Sequence, residues 1–333
     1  MTSAIVAVAE ATDVAEARRR GADVARALGF DEVAAGRVAI AVTESATNLL
    51  KHAGGGDMFL GVATDGQHRG VQIVAMDRSH GIEHLAASLA DGVSTAGTAG
   101  TGLGAIRRSS DSFDVYTSST GTVLAATVYA SGATVKGSLP IGAVCVPLQG
   151  ERECGDAWAV WSAGELTSVF LCDGLGHGSG AAAAANAAVK AFHRYAERSA
   201  PEVLAAVHDA LKPTRGAAVA LAELDARRGT LQYCGIGNIA AVIARPDGTD
   251  QHLVSLSGIS GHLARRIRAF QYDWPRGSVL VMHTDGVGTH WSLSRYEGLR
   301  LNRPDVVAGV IFRDHRRGRD DATALVAMNA EAA

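Results

Sequence analysis

The stretch LCDGLGHGSG, residues 171–180, sets an aspartate at the end of an apolar run and follows it with glycines at every second position. A Walker A loop would need a lysine after its last glycine. A nucleophile elbow would need Gly-x-Ser-x-Gly, where this chain reads Gly176-His177-Gly178-Ser179-Gly180. What remains is a carboxylate, Asp173, held where a strand ends, with bare backbone that lets carbonyl and amide groups close on whatever it binds. The pattern recurs in Asp156 of ECGDAWAV, Asp285 of VMHTDGVG, and Asp320 and Asp321 of GRDDATALV, each beside an apolar strand-like run. A charge leaving a buried strand is costly unless it is solvated, paired or metal-bound. Taken singly, each acid reads as a turn cap. Gathered without bases, they require a cation. Oxygen-only ligation with no His-Cys pattern points to Mg²⁺ or Mn²⁺, and a shared carboxylate could hold two ions about 4 Å apart around an activated water, a device for hydrolysing phosphate esters. His177 reads as a hydrogen-bonding support and is given no catalytic role.

The first half carries different chemistry. In AVTESATNLLKHAGGG, Glu44 and Asn48 are four apart with Lys51 and His52 one turn on, so they share a helical face, while Val38, Val42, Ser45 and Leu49 fall on another. An acid there can take a proton from water or a hydroxyl, and an amide oxygen can bind Mg²⁺ carrying nucleotide phosphates; plain solvent exposure would also account for the face. Downstream, Asp77 ends the strand-like VQIVAMD, and GTAGTGLGAI spans residues 97–106. The latter is no Rossmann fingerprint, because Gly102-x-Gly104 is followed three later by Arg107. Its glycines open a helix, where backbone amides suit phosphate, and a strand-end Asp suits an adenine amino group.

The elements that must position these residues divide near residue 135. Helical spacing covers residues 10–29, and a second helix runs from Asp31, a plausible N-cap, to Ala53, stopped by Gly54-Gly55-Gly56. Four strand-like runs follow, MFLGVA, VQIVAMD, SFDVYTS and TVLAATVYA, which predicts an α+β layer with an antiparallel or mixed sheet. SGATVKGSLP, residues 131–140, reads as the linker between a domain at 1–130 and one at 141–333. The second half reads as strands IGAVCVPL, AWAVWSAG and TSVFLCD, an Ala-rich helix over 179–198 and a shorter one near 201–211. Strands AAVALAEL, TLQYCGIG, AAVIAR and SVLVMHTDG follow, then a helix near 304–316 and a last strand, ATALVAM.

Composition sets the outer limits. At 333 residues two domains are expected, each able to bury a core. A net charge of -3 gives no global attraction to nucleic acid or anionic lipid. Cys145, Cys154, Cys172 and Cys234 form no C-x-x-C pair and flank apolar runs, so buried thiols in a reducing compartment are expected and a zinc site is not. Acids at Glu10 and Asp13 precede the first Arg, and no apolar stretch reaches about 18 residues, so export and membrane insertion are not expected and the cytoplasm is.

Two resemblances follow from these motifs. GDAW, CDGLGHGSGA, GIGN, TDGV and DDAT, in this order over residues 138–330, resemble the metal-dependent protein phosphatases of the PPM (PP2C-like) class, in their bacterial SpoIIE-type branch. That resemblance implies an αββα sandwich of two antiparallel sheets flanked by helices, with a dinuclear Mn²⁺/Mg²⁺ site hydrolysing phosphoserine or phosphothreonine. It implies that Asp173 bridges both metals, that the Gly174 carbonyl adds a ligand, and that Asp156, Asp285 and Asp320 complete the cluster, with Asp321 a further candidate. The first half, residues 5–130, resembles the GHKL (Bergerat) ATPases, and among them the serine kinases and anti-sigma factors of partner-switching modules. The match is best to RsbT-type kinases, because DGVSTAGTAGTGLGAIRRSSDSFDVYT reproduces their glycine box and the next strand. It implies an α/β sandwich binding ATP with Mg²⁺, with Glu44 as general base, Asn48 as Mg²⁺ ligand, Asp77 as adenine contact, Gly81 in the first glycine box and Gly100, Gly102 and Gly104 as the phosphate loop. The chain departs from Asp-x-Gly-x-Gly at Asp77-Arg78-Ser79-His80-Gly81. Joined, the two resemblances imply a kinase and a phosphatase of opposite sense acting on a regulatory phosphoprotein, a STAS-domain antagonist or stressosome-like protein in a stress or sigma-factor circuit. A homodimer is compatible with this. Two alternatives remain: a first domain that only senses nucleotide or binds a partner, and a non-catalytic anti-sigma scaffold.

Overall fold

Helix α1 (Ala11–Ala27) opens with a capping box between Glu10 and Asp13, and α2 (Glu32–Ala53) begins where the Asp31 carboxylate accepts the Ala34 N–H at 2.7 Å. Such a cap contributes about 1 kcal/mol. Helix α2 ends at Gly54, whose left-handed φ of 70° a side chain would disfavour. The structure, a computed structural model, describes residues 3–65, 68–89, 102–130, 139–264 and 266–329. It resolves into two compact units, residues 1–136 with 301–313, and residues 137–300 with 314–333.

In the first unit a five-stranded sheet takes the order β1-β2-β3-β5-β4, with β1 (Ala4–Val8), β2 (Gly56–Asp65), β3 (His68–Met76), β4 (Ser112–Ser118) and β5 (Gly121–Tyr129). All its pairings are antiparallel. Strand β1 was not anticipated; AIVAV is short and lacks the turn residues that announce a strand. Between β3 and β4 lie α3 (Leu85–Leu89) and α4 (Gly102–Ser109). Val38, Val42 and Leu49 of α2 pack with Leu60, Ile73 and Leu124 on one sheet face in a continuous core. The opposite face is covered from far along the chain by α7 (Pro304–His315), in which every residue from Pro304 to Arg313 is buried. Gly309 lets that helix approach closely: a Cβ there would stand 2.8 Å from Val123 Cγ1 and 3.0 Å from Val74 Cγ1. Asp114 anchors the start of α7 by accepting from Asn302 Nδ2 and the Arg303 N–H, and Arg313 Nη1 donates to the Asp77 carbonyl at 3.1 Å.

The second unit is a sandwich of two antiparallel sheets. One runs β13-β10-β9-β8-β7 and the other β12-β11-β14-β15-β6. The strands are β6 (Ile141–Val146), β7 (Asp156–Ala163), β8 (Leu166–Gly174), β9 (Ala217–Asp225), β10 (Thr230–Ile236), β11 (Ala240–Ala244), β12 (Asp250–His252), β13 (Phe270–Asp273), β14 (Val279–His283) and β15 (Ala322–Met328). Trp158, Leu171, Tyr233, Leu280 and Leu325 fill the space between the sheets. Helices α5 (Ser179–Tyr195) and α6 (Ala200–Leu211) cover the outer face of the first sheet; alanines 184, 185 and 188 bring α5 close, and Phe192 stacks on Phe170 at 5.1 Å between centroids. Strands β12 and β13 escaped the sequence reading because three or four half-exposed residues carry no readable alternation. Among the described residues no helix is long and apolar enough to cross a membrane.

Candidate functional site

In the first unit, Glu44 and Asn48 lie one turn apart on α2, and α4 is set against them. Arg37 of α2 holds the far end of α4, donating to the Ser109 carbonyl and pairing with Asp111 at 2.7 Å. A Cβ on Gly102 would stand 3.1 Å from Asn48 Oδ1 and 3.5 Å from Glu44 Oε2, so the start of α4 meets both polar atoms. Asn48 Nδ2 is buried without a partner, an acceptor-seeking group on the side chain expected to ligate Mg²⁺ through its oxygen. Gly104 is buried in the same turn, and Gly100 lies outside the described residues. Lys51 and His52, on the next turn of α2, are exposed surface groups.

Asp77 follows β3. Its Oδ1 accepts from Ser79 N at 2.9 Å, Ser79 Oγ at 2.7 Å and Thr122 N at 3.2 Å, while Oδ2 takes no hydrogen bond among the described residues. The serine that interrupts the first glycine box therefore fits: its hydroxyl helps hold the aspartate. Gly81, at φ 80°, passes so close to the Ser118 carbonyl and Thr117 Oγ1 that no side chain could follow.

In the second unit the acids sit at strand ends. Asp156 and Asp173 are direct cross-strand partners on β7 and β8. Like charges directly opposite one another destabilise a sheet, so this pair needs a proton or a cation between its members. Asp156 is 4% exposed; one oxygen accepts from Thr284 Oγ1 and Thr323 Oγ1, each at 2.8 Å, and Oδ1 has no partner. Burial, and then the charge of Asp173, push its carboxyl well above the usual range. Asp173 is raised to about 7 by burial, followed by the charges of Asp285, Asp320 and Asp321. Burial and then Asp320 raise Asp285, whose Oδ2 accepts from Asn238 Nδ2 at 2.9 Å. These mutual shifts place the four segments within electrostatic reach. Among the described residues no three His, Cys, Asp or Glu are drawn together tightly enough to hold an ion.

Asp320 accepts the Asp321 N–H at 2.9 Å. Asp321 is a tether: its oxygens accept from the Leu148 and Gly155 amides at 2.7 and 2.8 Å. The Gly174 N–H donates to Gly155 O at 3.0 Å, which leaves its carbonyl at the end of β8 beside Asp173. His177 Nδ1 lies 2.7 Å from Glu151 Oε1, consistent with a supporting role.

The residues that sequence reasoning passed over are Arg215, Asn238, Thr284 and Thr323. The last three stand inside the quoted motifs GIGN, TDGV and DDAT; their letters were visible, but their partners were not. Arg215 explains two glycines. A Cβ on Gly180 would meet its Nε and Cζ at 2.7 Å, and one on Gly176 would stand 3.4 Å from Nη1, so this exposed guanidinium lies against the loop that follows Asp173.

Comparison with known proteins agrees with this architecture. Residues 163–328 match the family Stage II sporulation protein E (SpoIIE), and residues 7–128 match the histidine kinase-like ATPase domain. The serine/threonine-protein kinase RsbT of Bacillus subtilis (strain 168) is 35% identical over 103 residues, covering 31% of this chain and 77% of RsbT. The phosphoserine phosphatase RsbX of the same organism is 24% identical over 139 residues, covering 42% of this chain and 70% of RsbX. Among solved structures, a chain from work on the bacterial stressosome as a modular system shares 27% identity at a TM-score of 0.53, covering 57% of this chain and 100% of that one. RsbX in complex with magnesium shares 20% identity at a TM-score of 0.52, over 58% of this chain and 98% of that one, a likeness of fold. The chain therefore belongs to the family of histidine kinase-like ATPases that includes RsbT, and carries behind that domain a phosphatase domain of the SpoIIE, PP2C-like type.

Proposed function

We propose that the second unit removes phosphate from phosphoserine or phosphothreonine on a regulatory protein, using Mn²⁺ or Mg²⁺, and that the first binds Mg²⁺-ATP to phosphorylate a serine of such a protein. The observation that carries the phosphatase reading is the Asp156–Asp173 pair: two carboxylates opposed across β7 and β8, one with a buried oxygen that no donor satisfies, and neither in an ion pair with a basic side chain among the described residues. An oxygen-only set of this kind fits a hard divalent cation. Asp156, Asp173, Asp285 and Asp320 with the Gly174 carbonyl would hold the ions, and Asp321 would hold the loops. When bound, a pair of such ions supplies charge neutralisation at the phosphoryl group and a water of lowered pKa.

The chain's own residues account for the rest. Thr284 and Thr323 fix the orientation of Asp156 through one oxygen and leave the other free. Gly176 and Gly178, at φ 78° and 73°, turn the backbone into α5 without side chains that would block a phosphate. Arg215, resting on that turn, offers two parallel N–H donors to the phosphate oxygens. In the first unit, Glu44 would take the proton of the acceptor hydroxyl, Asn48 Oδ1 would ligate Mg²⁺, Asp77 Oδ2 would receive the adenine amino group, and the amides around Gly100, Gly102 and Gly104 would hold phosphates.

The resemblance of the two units to RsbT and RsbX supports a partner-switching role, with a STAS-domain protein as the shared target. A second reading of the first unit, nucleotide sensing without transfer, draws on Ser79, which occupies Asp77 Oδ1. The deciding experiment incubates the full chain with radiolabelled ATP and candidate STAS proteins, and separately with their phosphorylated forms plus Mn²⁺. Label transferred to the protein and released from it supports both activities; nucleotide binding without transfer leaves the sensor reading, and no Mn²⁺-dependent release overturns the phosphatase.

A further inference from the structure

The loop that leads into β7 is bounded by two sulfur atoms in contact. Cys145 is on β6, Cys154 is two residues before Asp156, and their Sγ atoms are 3.7 Å apart. Cys145 Sγ also lies 3.7 Å from the Asp156 carbonyl. All four cysteines are free thiols; Cys145 is buried at 8% exposure, whereas Cys154 is half-buried, packed against the core between the sheets. A disulfide requires sulfurs about 2.05 Å apart, so closing this pair takes an approach of roughly 1.7 Å. In a reducing compartment such a bond is a sensing device rather than a staple.

We propose that Cys145 and Cys154 form a reversible oxidation site, closed to an intrachain disulfide by a peroxide. The Cys154 sulfur, its proton released, attacks the peroxide O–O bond. It becomes a sulfenic acid, and the departing oxygen leaves as water with that proton. The Cys145 sulfur then attacks the Cys154 sulfur and displaces the hydroxyl, which carries away the Cys145 proton as a second water. Two thiols lose two electrons and two protons, and one peroxide is reduced to two waters.

The bond would be felt at the acid cluster, because Cys154 is covalently joined to Gly155. That residue's N–H holds Asp321 Oδ2 at 2.8 Å and its carbonyl receives the Gly174 N–H at 3.0 Å. It has no slack: a Cβ on Gly155 would meet Ala181 Cβ at 2.6 Å and Asp321 Oδ2 at 2.7 Å. Drawing Cys154 toward β6 loosens both ties and the oxidised protein hydrolyses phosphoester more slowly. This consequence rests on the phosphatase reading above; the disulfide does not.

The test treats the full chain with hydrogen peroxide, blocks remaining thiols and maps the peptides. The expected result is a Cys145–Cys154 link that dithiothreitol reverses, with Cys172 and Cys234 still free, and a Mn²⁺-dependent rate on a phosphoserine peptide that falls about 10-fold and recovers on reduction. Cys154→Ser should keep its reduced rate through the same treatment. Cys145 and Cys154 recovered as free thiols, as separate sulfinic acids or in links between molecules would overturn the site. A mapped link with an unchanged rate would overturn the switch. A protein with no phosphatase activity even when reduced would count against the functional reading, and the peptide map would still decide the disulfide.

Discussion

Asp77 and Asp173 both stand where a buried strand meets a glycine-bearing turn, yet they are satisfied in opposite ways. Asp77 is met by three donors on one oxygen, from Ser79 and Thr122, and its other oxygen takes no hydrogen bond among the described residues. Asp173 is met by other acids, and burial with Asp285, Asp320 and Asp321 lifts it to about 7. The lesson is that a strand-end carboxylate reports its use through its neighbours. Under the proposed function, donors on one oxygen leave Asp77 as a recognition group for a neutral partner, and neighbouring carboxylates make Asp173 a seat for a cation.

The largest expected effect removes the charge on which the cation seat depends. Asp173→Asn should lower Mn²⁺-dependent phosphoserine hydrolysis by about 10³-fold, since several kcal/mol of charge stabilisation go with it, while ATP affinity of the same protein stays within experimental error. Equal loss of both would show that the two sites are not separable. On the other side, Glu44→Ala should reduce phosphoryl transfer to a STAS protein by about 10²-fold or more with hydrolysis untouched; label that survives it would remove Glu44 as base. Arg215→Ala should raise KM for a phosphopeptide about 10-fold, with Arg215→Lys recovering only part, because a lysine cannot present the fork. A change in kcat with KM constant would place the arginine elsewhere in the cycle.

A smaller effect sharpens the electrostatic contrast. Asp173 binds its proton more tightly folded than unfolded, so in a chelator the native state holds more protons than the unfolded one between pH 4 and about 7. Stability should therefore be greatest at the acid end of that window and fall as pH rises through about 7, each kcal/mol appearing as about 2–4 °C in Tm. Added Mn²⁺ should flatten the slope, and a metal-free Tm that instead climbs with pH across the window would contradict the acid cluster. The smallest effect is a control: Asp31→Ala should cost about 1 kcal/mol in thermal unfolding of the first unit and leave both chemistries in place.

Much of this was legible in the sequence where one residue type does one physical job. Asp31 announced the start of α2 and Gly54 its end, and the alternation of apolar and polar positions separated Val38, Val42 and Leu49 from Glu44 and Asn48. The acids of the second half could be recognised because Asp beside Gly at the end of an apolar strand is expensive without a purpose. The missing parts depend on distance along the chain. Arg215 stands 35 residues after Gly180, and nothing local says that the two touch. Cys145 and Cys154 share no redox spacing, so only the fold brings their sulfurs together. Strands β1, β12 and β13 are short edges whose pairing, rather than composition, defines them.

Helix α7 has a practical corollary. The cut that sequence invites, through residues 131–140, would yield an amino-terminal fragment stripped of the helix that roofs Val74, Met76 and Val123, and a carboxy-terminal fragment in which the buried run from Val306 to Phe312 has lost its seat. Such pieces should be sticky when made alone and should rescue one another's solubility when produced together, which makes split-gene complementation a more faithful dissection of this protein than truncation.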